Sequence, residues 1–254
     1  MKILVINPNT SQFVTDKVCQ VAADAAGSGF EFVGVTGRSG SPIVGTRAEC
    51  ALASKEVMTI AAEHAEGCEG VLLAISFDSG LDVLREILDI PVVGISEAGM
   101  SAAMSVSRRF AMLTFGDRAV PLYEELVEYY GWTLRCAGVI SLPPLSQEEL
   151  EDTRIVIPKL IDKIEESTQT IRAEAIVLAG AVFAGIAEKL RDRVSLPIVD
   201  GVVAGVNQLK MLHALNLRKP VSGSLAFPPS KKLVGLPEHL TKMFKAFGSK
   251  IDRK

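Results

Sequence analysis

Cysteine and histidine are scarce in this chain, with four of the first and three of the second in 254 residues. The cysteines, Cys19, Cys50, Cys68 and Cys136, form no CxxC pair and no Cys/His spacing that would hold zinc. No disulfide framework or metal site is expected, and the thiols read as reduced and cytosolic. An excess of either charge is also missing. Lys and Arg number 27 against 30 Asp and Glu, interspersed, and a net charge of −3 argues against a nucleic acid or an anionic membrane as partner. The basic stretch from Lys245 to Lys254 reads as a solvated end. No apolar run approaches the roughly 18 residues of a membrane span, and Met1 to Asn7 is too short for the core of a secretory signal. The expectation is a soluble cytoplasmic protein.

What the chain has in quantity is apolar surface to bury: 48% of its residues are hydrophobic, enough for one large core or two lobes of ordinary size. Short β-branched runs read as strands at Ile3 to Ile6, Phe30 to Val35, Gly70 to Ile75, Val92 to Ile95, Phe110 to Thr114, Ala137 to Ser141, Ala175 to Leu178 and Ile198 to Val199. Helical spacing lies between them, at Phe13 to Ala26, Arg47 to Ala65, Leu81 to Leu88, Ala98 to Ser107, Val120 to Tyr130, Ser146 to Arg172, Ile186 to Arg193 and Val202 to Leu215. Continuous apolar strands alternating with helices predict an α/β fold with parallel sheets covered on both faces.

An internal repeat divides the chain. KILVINPN from Lys2 can be laid over FAMLTFGD from Phe110. GVLLAISFDSGLDVLREILDIPVVGISEAG from Gly70 lies over AIVLAGAVFAGIAEKLRDRVSLPIVDGVVAG from Ala175, matching Leu73 with Leu178, Gly80 with Gly185 and, after one inserted residue, Pro91 with Pro197. Two pseudo-symmetric Rossmann-like lobes follow, residues 1–105 with 206–254 returning, and 106–205. Sites in such folds gather at the carboxyl ends of strands. Four turns are therefore expected to face one interlobe cleft: Asn7 to Ser11, Ser76 to Gly80, Thr114 to Gly116 and Ala179 to Gly185. Thr10 or Ser11 would cap the first helix.

The stretches VINPNTS, FDSGLDVLRE followed by IPVVGISEA, TFG, and VLAGAVFAG followed by LPIVDGVVAG resemble the aspartate/glutamate racemase superfamily, most closely its hydantoin and allantoin racemase branch. The likeness runs through nearly the whole chain. It implies two α/β lobes, no cofactor, a small-molecule substrate, and proton exchange at a carbon beside a carbonyl by two cysteines on opposite faces. This chain departs from that pattern. The first cysteine is expected where Ser76 stands before Phe77, or at Ile75 because the turn is short. The second is expected at Gly180, or at Ala181 in the repeat register.

Other groups are therefore candidates for the chemistry. Ser76 and Asp78 are read as the proton-transfer residues, Asp78 as a general base if burial raises its pKa; turn hydroxyls and a cap on the Leu81 to Leu88 helix are the structural alternatives. Asn7, Asn9, Thr10, Ser79, Gly80, Thr114, Phe115, Gly180 and Ala181 are candidate donors to carbonyl or carboxylate oxygens. Arg47 is a candidate clamp for a carboxylate or imide, and Phe77 with Phe183 a wall. Cys50 is a displaced-thiol alternative to a core cysteine. Glu97 and Asp200 read as equivalent strand ends. The histidines, at His64, His213 and His239, lie on apparent surface helices or a helix end and do not support a triad.

The expected function is a cofactor-independent racemase or isomerase acting on a small hydantoin-like or amino-acid-like compound. A one-base lyase, decarboxylase or hydrolase, or a non-catalytic binder, is the alternative. A homo-oligomer is expected because symmetric association is common among soluble enzymes.

Overall fold

The computed structural model describes residues 1–251 except 218, 230 and 232, with the backbone alone at 248–251. Two four-stranded parallel sheets are built from successive βαβ units. The first contains β1 (Lys2–Asn7), β2 (Glu31–Thr36), β3 (Gly70–Leu73) and β4 (Val92–Gly94), in the order β2-β1-β3-β4. The second contains β5 (Phe110–Phe115), β6 (Cys136–Leu142), β7 (Ala175–Leu178) and β8 (Ile198–Asp200), in the equivalent order β6-β5-β7-β8. The central strands are apolar on both faces because helices cover both. Leu4, Val5, Leu72 and Leu73 have no exposed surface, and each such side chain contributes roughly 1.5–3 kcal/mol by leaving water.

The sheet pairings fix how the lobes correspond. Ile3 pairs with Gly70 and Phe110 with Ala175, so Ile3 corresponds to Phe110 and Asn7 to Thr114. The sequence overlay of Lys2 on Phe110 is one residue out, a slip that exchanges the two faces of a strand. Gly94 pairs with Leu73 and Asp200 with Leu178. Asp200 thus corresponds to Gly94, and Glu97 lies beyond it in a helix.

Helices α1 (Gln12–Ala26), α2 (Arg47–His64), α3 (Leu81–Ile87) and α4 (Ile95–Val106) belong to the first repeat. In the second are α5 (Val120–Tyr129), α6 (Gln147–Glu151), α7 (Thr153–Thr170), α8 (Ile186–Leu190) and α9 (Gly201–Ala214), followed by α10 (Glu238–Ile251). The lobes exchange helices. α4 packs against β7 and β8 of the second sheet, while α9 packs against β3 and β4 of the first and against α4 itself. Glycine permits the crossing. A Cβ on Gly205 would sit 2.6 Å from Leu72 Cδ1, one on Gly99 would sit 3.0 Å from Val177, and one on Gly201 would overlap the carbonyl of Ile95.

Two expectations need correction. The single helix from Ser146 to Arg172 breaks at Asp152 (φ −88°, ψ 102°), whose carboxylate accepts from Arg154 N at 2.9 Å and starts α7, while Ser146 and Glu149 form a capping box on α6. The basic end is not simply solvated: Lys245 lies in α10, and Phe247 is buried among Phe227, Phe244 and the first lobe's core. Residues 252–254 lie outside the described residues.

Candidate active site between the lobes

The turn after β1 holds itself together. Asn7 is fully buried, and its amide donates to Asn9 Oδ1 at 2.8 Å, Ser11 O at 3.1 Å and Thr15 Oγ1 at 3.0 Å. Asn9 Oδ1 also accepts from Ser11 N at 2.9 Å, and the Ser11 hydroxyl caps α1 by accepting from Val14 N. Thr10 is exposed and neither caps α1 nor lines the cleft. Of these candidates Asn9 lines the interlobe cavity; Asn7 is spent on the turn.

After β3 the chain runs through Ala74, Ile75, Ser76 and Phe77, all on the wall of a partly enclosed cavity of about 90 Å³. Ser76 is 7% exposed, and its hydroxyl shares a short hydrogen bond with the phenol of Tyr123, which comes from α5 of the other lobe. Phe77 stacks on that ring, centroids 4.4 Å apart. Burial pushes the Tyr123 phenol up to about 12, against the hydrogen bonds of Ser76 and Thr114 that favour its ionised form. Tyr123 is therefore a neutral donor at physiological pH.

Asp78 turns the other way. Its carboxylate accepts from Ser96 N at 3.3 Å, Glu97 N at 2.8 Å and the Tyr130 hydroxyl at 2.8 Å, so it caps α4 rather than the α3 helix that follows it in sequence. The backbone bends to reach this position, with φ at +48°, and a side chain at Gly94 would overlap the carboxylate. Burial raises its pKa from 3.8 to about 7. That titration faces a helix end and not the cavity, so Asp78 does not stand where a base for an interlobe substrate is needed. Ser79 and Gly80 also lie off the cavity wall; Gly80, in the left-handed region at φ +89°, starts α3 against Val57.

The second lobe supplies Thr114 at the end of β5, 2% exposed, and Phe115, which meets Phe183 edge-on. Gly180 and Ala181 form the wall after β7. By the repeat, Gly180 corresponds to Ile75 and Ala181 to Ser76. A hydroxyl on one turn thus answers a methyl on the other. Arg47 stays outside, exposed and ion-paired with Glu125 of α5, and clamps nothing in the cavity. None of the histidines lines it.

The family model for Asp/Glu/Hydantoin racemase matches residues 3–209. The chain belongs to the Asp/Glu/hydantoin racemase family. It is 30% identical to a hydantoin racemase of Pseudomonas sp. (strain NS671) over 240 residues, covering 94% of this chain and 96% of that one. Among solved structures it superposes on an allantoin racemase from Klebsiella pneumoniae with a TM-score of 0.89 at 31% identity, covering 94% and 98% of the two chains. An allantoin racemase from Pseudomonas fluorescens gives 0.88 at 33%, covering 92% and 100%. The membership places this racemase-family chain in the hydantoin and allantoin branch.

Several cavity residues of this family member escaped the sequence reading. Tyr123 was hidden in an ordinary amphipathic helix; its inward position was the available signal. Gln147 and Glu151 were hidden by the unseen break at Asp152, which makes α6 a separate cover. Pro42 to Gly45 also cover the cavity, with Ile43 packed on the second lobe's core. Cys50 is half-buried beside the Ser79 hydroxyl, off the wall, and burial pushes its thiol up.

Proposed function

We propose that this protein binds a small hydantoin-like or amino-acid-like compound between its lobes and transfers a proton at the carbon beside a carbonyl from one face only, using the Ser76 and Tyr123 hydroxyls. One observation carries this reading: of the two equivalent turns only the first carries a hydroxyl, Ser76, where the second has Gly180 and Ala181. The neutral Tyr123 phenol and Thr114 are suited to donate to an enolate oxygen as charge develops there. The proton balance closes as a relay: the carbon-bound proton passes to the Ser76 oxygen as the Ser76 hydroxyl proton passes to Tyr123 and the Tyr123 proton to the substrate carbonyl oxygen, which forms the enol with no net charge on either side chain.

Two-face racemisation needs a second proton carrier across the substrate, and neither Gly180 nor Ala181 is one. The expected activity is therefore isomerisation or exchange with retention in place of full racemisation. The test is proton NMR in deuterium oxide with a single enantiomer of a 5-substituted hydantoin or allantoin, followed in parallel by optical rotation. Loss of the α-proton signal well ahead of loss of rotation supports the proposal, and equal rates overturn its one-sidedness. A second reading, ligand binding without chemistry, draws on the absence of titratable side chains at both Ile75 and Gly180. It predicts a ligand-dependent rise in melting temperature with no exchange.

A further inference from the structure

The cavity is unusual in its charge. Among the described residues no Lys, Arg or His lines it, and Glu151 is the one charged side chain that does. Glu151 is held in place. Leu150 beside it is 1% exposed in the second lobe's core, the capping box fixes the start of α6, and Asp152 starts α7 immediately after it. Gln147, one turn earlier, donates its amide to Glu151 Oε1 at 2.9 Å. Glu151 Oε2 accepts no hydrogen bond from a described residue. Lys17, whose ammonium donates to the carbonyl of Val182 at 2.6 Å, lies close enough to interact electrostatically with Glu151 but does not enter the cavity.

Glu151 is half-buried and its bond to Gln147 is open to solvent, so it stands at the mouth of the mostly apolar cavity, where a carboxylate attracts donors and repels anions. Resting on the reading of this cavity as the substrate site, we infer that Glu151 sets substrate choice. The site takes an uncharged cyclic imide or amide whose substituent ends in a hydrogen-bond donor, such as a ureido, amide or ammonium group, and rejects a substituent ending in a carboxylate. Gln147 is the positioning residue that orients Glu151.

The test uses the full chain and four hydantoins substituted at C5 with ureido, aminopropyl, isopropyl and carboxyethyl groups, measured by calorimetry at neutral pH. The wild type is expected to bind the ureido and aminopropyl compounds at least tenfold more tightly than the carboxyethyl compound, the scale of a charge-assisted hydrogen bond. Glu151→Gln shrinks that ratio, and Glu151→Lys inverts it. Ligand-free melting curves show whether each variant is folded, and a misfolded Lys variant leaves the Gln variant as the deciding one. A wild-type preference for the carboxyethyl compound, or ratios unmoved by either substitution, overturns the inference while leaving the site intact. If none of the four binds the wild type, the reading of the cavity falls and the inference with it.

Discussion

In the first lobe the carboxylate that ties the loop after the third strand to the helix after the fourth comes from the loop: Asp78 reaches across to Ser96 N and Glu97 N of α4, and Gly94 leaves room for it. In the second lobe the corresponding carboxylate comes from the strand end. Asp200 caps its own helix at Val202 N, 2.8 Å away, and reaches back to Gly185 N at 2.6 Å. One structural task is met from opposite ends. The exchange has a consequence for the site: Asp78 faces α4 and the first lobe's loop offers the cavity the Ser76 hydroxyl, while the second lobe's loop, relieved of capping, offers Gly180, Ala181 and Val182, none with a polar side chain. Pseudo-symmetry of the backbone does not carry over to the chemistry of the walls.

Substitutions can break this comparison. Asp78→Ala leaves two buried N–H groups and the Tyr130 hydroxyl without their acceptor, and a loss of about 3 kcal/mol in urea denaturation is expected, above the usual cost of a lost cap. Ser76→Ala removes one of the two side-chain partners of the buried Tyr123 phenol, Thr114 remaining, so a smaller loss of about 1 kcal/mol is expected. The same substitution is expected to slow α-proton exchange by roughly 100-fold, about 2.7 kcal/mol in barrier, whereas Ala181→Val should leave exchange within a few fold, as measured by NMR in deuterium oxide.

The comparison can also be sharpened. Adding Gly94→Asp to Asp78→Ala moves the first lobe's carboxylate to the place Asp200 occupies in the second, and should restore about 1 kcal/mol of the loss; no recovery in denaturation would mean that the two arrangements are not interchangeable. The last test is pH. Burial lifts the Asp78 carboxyl from 3.8 to about 7 and also raises Asp200. The folded protein then holds a proton that the unfolded chain has released, so the stability linked to Asp78 is complete below about pH 4 and is lost as the pH rises through 7. Unfolding free energies across that window should fall more steeply for the wild type than for Asp78→Asn.

Much of the fold was legible because it depends on short-range signals. The eight strands lie near their expected places since apolar β-branched runs such as KILVI can be buried only inside a covered parallel sheet. The break at Asp152 was not legible, because Leu150 and Ile157, seven residues apart and both in the second lobe's core, continue one helical spacing across it. In the site, Ser76, Phe77, Thr114, Phe115, Gly180, Ala181 and Asn9 do come together on the cavity wall. Asn7, Thr10, Arg47, Asp78, Ser79 and Gly80 do not, since sequence gives a turn's location but not the direction each side chain takes from it. Asp78 is the clearest case: its partner, the first turn of α4, is distant in sequence, and no local cap rule points there.

From the sequence alone came the alternation of strands and helices and the cluster of turns at strand ends, which follow from hydrophobic spacing and turn chemistry, together with the repeat and the family likeness, which rest on the resemblance of whole stretches such as VINPNTS and VLAGAVFAG. Tertiary structure decided the helix exchange permitted by Gly99, Gly201 and Gly205, the pairing of Ser76 with Tyr123, and the placing of Glu151 on the cavity wall. These depend on which surfaces meet when two lobes close on each other. That outcome is set by packing between residues far apart in the chain, where local propensity carries no information.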